Sequence, residues 1–150
     1  YSSRISLVTL QTGSVGYFGI LASTGALSTT LTIASLTDAV GFGFTQGTDT
    51  NWQVIHNDAA GAPTKLDMGA SFPVSSTTNV YTFFVACPPN GSSIFVEAVE
   101  EVSGAKYIAE LTTDIPASTT FLTLRNFLHN GGVAAAVAYD CSGVYLETNY

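Results

Sequence analysis

The stretch SIFVEAVEEVSGAKYIAELT, residues 93–112, decides the fold. Ile94, Val96 and Ala98 alternate with Phe95, Glu97, Val99 and Glu101. After Ser103-Gly104 the alternation resumes, with Tyr107, Ala109 and Leu111 set against Lys106, Ile108 and Glu110. A period of two places each set on its own face of a β-strand. The Ser-Gly pair stands where a tight turn needs a residue that accepts positive φ. Two strands joined in this way are antiparallel neighbours, with one face toward a core and one left to water or a partner.

The same texture extends outward in both directions. Short runs set off by Gly, Pro, Asn and Asp predict strands at 4–10, 15–22, 29–36, 40–46, 52–57 and 64–69, then at 80–87, 93–101, 105–112, 120–128, 134–140 and 143–150. In TTLTIASL, residues 29–36, Leu31, Ile33 and Leu36 interleave with Thr and Ser, although the phase slips near the end. No window sustains the i, i+3, i+4, i+7 spacing of a helix, while Thr, Val, Ile, Phe and Tyr are abundant. Cys87-Pro88-Pro89-Asn90-Gly91 must leave a strand, because two prolines cannot donate to a ladder. The expected fold is all-β: an antiparallel two-sheet β-sandwich, jelly-roll or lectin-like. The 150 residues hold no linker, so they read as a single domain, 1–150. A chain of this size buries roughly 70% of its unfolded surface, enough for a real core. It begins with Tyr1 instead of Met, which reads as a processed product or a fragment of a longer chain.

Composition narrows the function. Charged residues make up 10% of the chain, against about 25% in an ordinary soluble domain, and hydrophobic residues 46%. Neutral Thr, Ser, Asn and Gln supply most of the polarity, which suits exposed sheet faces or surfaces packed on other subunits. The net charge is −7, and Arg4, Lys65, Lys106 and Arg125 form no basic run. Nucleic-acid binding therefore lacks its electrostatic footprint, and an anionic membrane surface is disfavoured for the same reason. Membrane insertion by a helix needs roughly 18–20 apolar residues, and VAAAVAY at 133–139 is far shorter. Cys87 and Cys141 are too few for a disulfide framework; free buried thiols are expected ahead of a single bridge.

Two segments invite a chemical reading. VIHNDAAGAPTK, residues 54–65, and FLHNGGVAAAVAYD, residues 127–140, carry the two histidines, each followed by Asn. Asn, Asp, Gly and Pro explain the first as a turn between strands, and Asn-Gly explains the second as a hairpin turn. Zinc wants clustered ligand pairs, and His56, His129, Cys87 and Cys141 are solitary in sequence. Asp49, Asn51, Asn57 and Asp58 match no calcium loop. There is no GxSxG elbow, and the glycines of GFG at 41–43 lie inside a strand pattern instead of preceding a helix. Glu97, Glu100, Glu101 and Glu110 sit on or beside adjacent strands, where a solvated face that discourages edge pairing is the plainer role. Catalytic residues, metal and cofactor are accordingly all expected to be absent. Trp52 follows Asn51 at the start of a strand. A rim aromatic beside amides would suit a sugar ring, while a core tryptophan is the simpler expectation.

The pieces NWQVIHND, LTTDIPASTTFL, the HNGG turn with its small-residue strand, and the ending YDCSGVYLETNY lie within residues 40–150. Over that span the chain resembles a C-terminal β-sandwich domain of tailed-bacteriophage virion proteins, of the tail fibre, tailspike or structural protein type. Residues 1–39 carry no specific match. The resemblance implies a display domain on a virion, assembled in the host bacterial cytoplasm, typically a homotrimer, with a lectin-like sandwich that meets a host-surface polysaccharide. It carries over no catalytic residues. A reducing cytoplasm also suits unpaired thiols. The loops expected to face such a receptor hold Asn51, Trp52, His56, Asn57, Asp58, His129 and Asn130. Two other readings stand beside this one. The first is a purely architectural trimerisation or capsid-decoration module. The second is a carbohydrate-active enzyme fragment dependent on a carboxylate such as Glu97 or Asp114.

Overall fold

The computed structural model describes residues 1–22, 28, 31–89 and 91–148. Among them the strands are β1 (Ser2–Thr9), β2 (Val15–Leu21), β3 (Ala39–Thr45), β4 (Gln53–Asn57), β5 (Thr64–Asp67), β6 (Val80–Ala86), β7 (Ile94–Glu100), β8 (Lys106–Leu111), β9 (Thr123–His129) and β10 (Ala138–Tyr145). They form two five-stranded sheets, ordered β10-β1-β6-β7-β8 and β5-β4-β3-β2-β9. Every pairing is antiparallel. The expected two-sheet antiparallel β-sandwich is therefore what forms. Chain neighbours stay within one sheet through the β2–β5 and β6–β8 meanders, without the strand-by-strand exchange between sheets of a jelly roll.

Between the sheets lies an aromatic core. Phe42 of β3 stacks on Phe83 of β6 with ring centroids 4.3 Å apart. Ile5, Leu7, Val54, Tyr81, Val96 and Leu111 fill the space around this pair. The outer face of the β5-β4-β3-β2-β9 sheet is covered as well. Val15, Tyr17, Leu21, Ala39 and Ile55 pack there with Ile33 and Leu36. Cover on both faces explains why VGYFGIL and AVGFGFT read as near-continuous apolar runs instead of alternating.

Glycine lets β2 and β3 approach. Gly19 lies opposite Gly41, and a Cβ on Gly41 would come within 2.6 Å of the Phe18 carbonyl oxygen and 2.8 Å of Gly19 Cα. These are backbone atoms, which cannot swing aside. Gly41→Ala is therefore expected to lower stability by about 1–3 kcal/mol, the range for overpacking. The denaturation midpoint measures this, and an unchanged midpoint would show that the two strands can separate freely.

Several expectations need correction. Ile33–Ser35 is a 3₁₀ turn and not part of a strand over 29–36, of which residues 29 and 30 lie outside the described residues. Ser35 Oγ donates to the Thr32 carbonyl at 2.7 Å, and Leu36 N–H to that of Ile33 at 3.1 Å. The i, i+3 spacing of Ile33 and Leu36 lays both side chains on the sheet. The separate strands expected at 134–140 and 143–150 are one strand, β10. Ser142 and Gly143 bulge opposite Arg4, with Gly143 at φ 120°. Residues 149 and 150, and Asn90 in the proline turn, lie outside the described residues. The HNGG turn is no hairpin, because β9 and β10 belong to different sheets and the chain crosses between them there. Cys87 and Cys141 are free, as expected, but exposed instead of buried.

Candidate functional site

His56 and His129 do not share a site. His56 pairs with Val40, which lies opposite Ile20, whereas His129 lies opposite Val15. Five residues along β2 separate the two rows, roughly 17 Å. The faces differ too. His56 follows Trp52 and Val54 into the inter-sheet core, and His129 lies beside Val15 on the outer face.

At the His56 end the loops are tied together by Asp114. Nδ1 of His56 donates to the Asp114 carbonyl at 2.8 Å. One oxygen of the Asp114 carboxylate accepts from Thr64 N–H at 3.1 Å and Thr64 Oγ1 at 2.6 Å; the other accepts from Asp58 N–H at 3.3 Å. Burial pushes this carboxyl up, but the donors from Thr64 and Asp58, with His56 nearby, outweigh it and leave the pKa below its ordinary value. Asn57 is fully buried, and its amide donates to the carbonyls of Leu36 at 2.7 Å and Gly61 at 3.3 Å. His56 is only 4% exposed. Neither residue is on a receptor-facing surface, which corrects their placement; Asp58 alone of this trio is exposed. The HNDAAGAP segment is a turn between paired strands β4 and β5, as expected.

Trp52 is likewise no rim aromatic. It is 0% exposed, and its ring is surrounded by Phe18, Phe44, Tyr81 and Phe83. Asn51 is half-buried, and its amide donates to Asp67 at 3.0 Å. Asn130 braces its own turn, donating to the Val133 carbonyl and accepting from Gly132 N–H at 3.1 Å. The His129 ring donates from Nε2 to the Leu31 carbonyl at 2.7 Å and accepts at Nδ1 from Gly131 N–H at 3.1 Å. These two bonds specify the neutral tautomer and occupy both ring nitrogens.

The acids are similarly engaged. Glu97 pairs with Lys106 at 3.1 Å, and Glu101 accepts from Thr82 Oγ1. Glu100 is buried, not part of a solvated face, because its own alternation with Ile94, Val96 and Ala98 turns it inward. There it caps the β7–β8 turn, accepting from Ser103 N–H at 2.7 Å and Val102 N–H at 3.0 Å. The Ser103 bond, more than the opposing burial, leaves this carboxyl below its ordinary value.

The concavity that draws the singled-out segments together lies on the outer face of the β5-β4-β3-β2-β9 sheet. It is a groove of about 480 Å³ between the sheet and residues 31–34. Val15, Leu31 and Ile33 give it an apolar floor, while Thr45, Lys65 and His129 are among its polar walls. Pro63 and Lys65 come from the HNDAAGAPTK segment, and His129 and Gly131 from the HNGG turn. Lys65 Nζ is held by Asp49 at 2.5 Å, and the other Asp49 oxygen accepts from Thr45 N–H at 2.8 Å. Sequence reasoning passed over Lys65 and Thr45. Lys65 alternates toward the same face as Ile55, opposite it in the ladder, but nothing local shows that this face carries a groove. Among the described residues, no group of three or more His, Cys, Asp or Glu could hold a metal ion. No protein-family model, curated protein or solved structure matches the chain.

Proposed function

We propose that the chain is a non-enzymatic display domain of a tailed-phage virion protein, and that it binds a host-surface saccharide in the groove beneath residues 31–34. The resemblance over residues 40–150 supplies the virion context. The observation that carries the binding reading is the groove itself. Its volume falls within the roughly 300–1,000 Å³ of small-ligand sites, with an apolar floor and a few polar groups at the walls. An apolar floor suits the C–H face of a sugar ring. Thr45 Oγ1 and Lys65 Nζ suit its hydroxyls or an acidic substituent.

The test is titration of the purified domain with polysaccharide fragments from candidate bacterial hosts, followed by calorimetry or NMR. Lys65→Ala is expected to weaken binding about 10-fold or more, the value of a charge-assisted hydrogen bond. Asp58→Ala, on the exposed β4–β5 turn, is expected to leave it unchanged. Binding that is insensitive to Lys65 would place the receptor elsewhere on the molecule. Failure to bind any host saccharide would favour the architectural reading.

A further inference from the structure

The two sheets differ on their outer faces. One is covered by residues 31–36 of the same chain, and among the described residues no such segment packs on the outer face of the other, β10-β1-β6-β7-β8. Alternation brings Val8, Phe84, Phe95, Ile108 and Tyr145 onto this face, each between 42% and 67% exposed. The ladders gather four of them at one end of the sheet, while Val8 lies at the far end of β1. Tyr145 lies opposite Ser2, Ser2 opposite Phe84, Phe84 opposite Glu97, and Glu97 opposite Ile108. Phe95 lies one pleat along, opposite Ala86 and Glu110. A solvated face needs no such cluster, and apolar side chains gathered in this way mark an interface.

We propose that this face packs against a second copy of the same chain. The distribution of charge favours that occupant. Arg4 and Lys106, half of the chain's cations, stand here with Glu97, Glu101 and Glu110, and Asp140 lies at the edge on β10. The rest of the molecule holds two cations against seven acids. A chain with a net charge of −7 is repelled by its copies, and least so across the face where both signs mix. The size is also sufficient. Five strands about 4.8 Å apart and some six residues long present roughly 500 Å² each, so a pair buries about 1,000 Å² in plan, the lower bound for a specific interface. The face lies on the opposite side of the sandwich from the groove, so the inference does not rest on saccharide binding.

Light scattering after size exclusion, over a dilution series, tests it. The wild-type chain should show twice 15.6 kDa, dissociating on dilution. Phe84→Glu with Ile108→Glu should raise the dissociation constant at least 100-fold and leave the monomer, with an unchanged circular dichroism spectrum. If that pair fails to fold, Ile108→Lys alone, at a position 67% exposed, should give the same shift. Ala34→Glu, exposed on the 31–36 segment that covers the other sheet, should leave the mass unchanged. A wild-type monomer at every concentration would overturn the proposal. So would an oligomer that withstands the face variants, or one that dissociates with Ala34→Glu instead.

Discussion

Trp52→Ala is expected to lower the unfolding free energy by about 3–5 kcal/mol, the cost of deleting a large aromatic from a packed core. The ring is fully buried, with its centroid 4.8 Å from that of Phe44, 4.9 Å from Phe83, 5.5 Å from Tyr81 and 5.6 Å from Phe18. Those partners come from β2, β3 and β6, so one side chain touches both sheets. Its backbone is fixed as well: Trp52 N–H donates to the Phe72 carbonyl at 2.8 Å, and its carbonyl accepts from Met68 N–H at 3.0 Å. The neighbours therefore cannot close over the cavity without moving strands. Domains are stable by only about 5–15 kcal/mol, so the loss is a large fraction of the total. Urea unfolding followed by circular dichroism reads it, since the variant lacks the chain's single tryptophan. A loss below about 1 kcal/mol, far under the range for deleting a core aromatic, would show that the ring is not buried between the sheets.

Asp114→Ala should cost about 2–4 kcal/mol. The change strands three donors, Thr64 N–H, Thr64 Oγ1 and Asp58 N–H, and hydrogen bonds to a charged acceptor contribute about 1.5–3 kcal/mol each before exposure is discounted. Asp114 also sits at φ 52°, a left-handed conformation that Asp and Asn accept and Ala resists. Asn at this position keeps the backbone and one acceptor oxygen but loses the charge, so Asp114→Asn should fall between wild type and Ala. The pH dependence has a definite sign. The folded carboxyl titrates below its ordinary value of 3.8. Its contribution is thus complete above that value and is lost as pH falls from there through the lower folded pKa. Glu100 and Asp67 are shifted the same way, so wild-type stability should decline on acidification below about pH 4. Asp114→Asn should decline less steeply. Equal slopes for the two proteins would remove the carboxylate from this role.

The β7–β8 hairpin was legible because every signal for it is local. Alternation assigns its faces, and Gly104 at φ 74° forms the turn where Ser103-Gly104 was expected. Even the inward position of Glu100 follows from the phase of Ile94, Val96 and Ala98. It was missed because a carboxylate reads as solvated until the turn N–H groups that receive it are in place. TTLTIASL misled for the opposite reason. Its Leu and Ile alternate with Thr and Ser, yet Ile33 and Leu36 touch the sheet at a helical spacing, and the slip of phase near Leu36 was the available sign. His56, Asn57 and Trp52 fall in the strand expected at 52–57, with the core the simpler expectation for Trp52, yet they were set among the receptor-facing residues because they adjoin turn-forming sequence. All three are interior.

Residue order by itself determined the all-β class, most strand positions and the turn chemistry, because a period of two and a glycine at positive φ are properties of a few adjacent residues. Tertiary structure alone decided which strands became neighbours, that β9 and β10 separated into different sheets, and that residues 31–36 came to cover the outer face of one sheet. It also decided the work of the polar residues. Asp114 meets Thr64 across 50 positions, and His129 meets Leu31 across 98. Contacts over such separations depend on the packing of both sheets, and no local pattern encodes them.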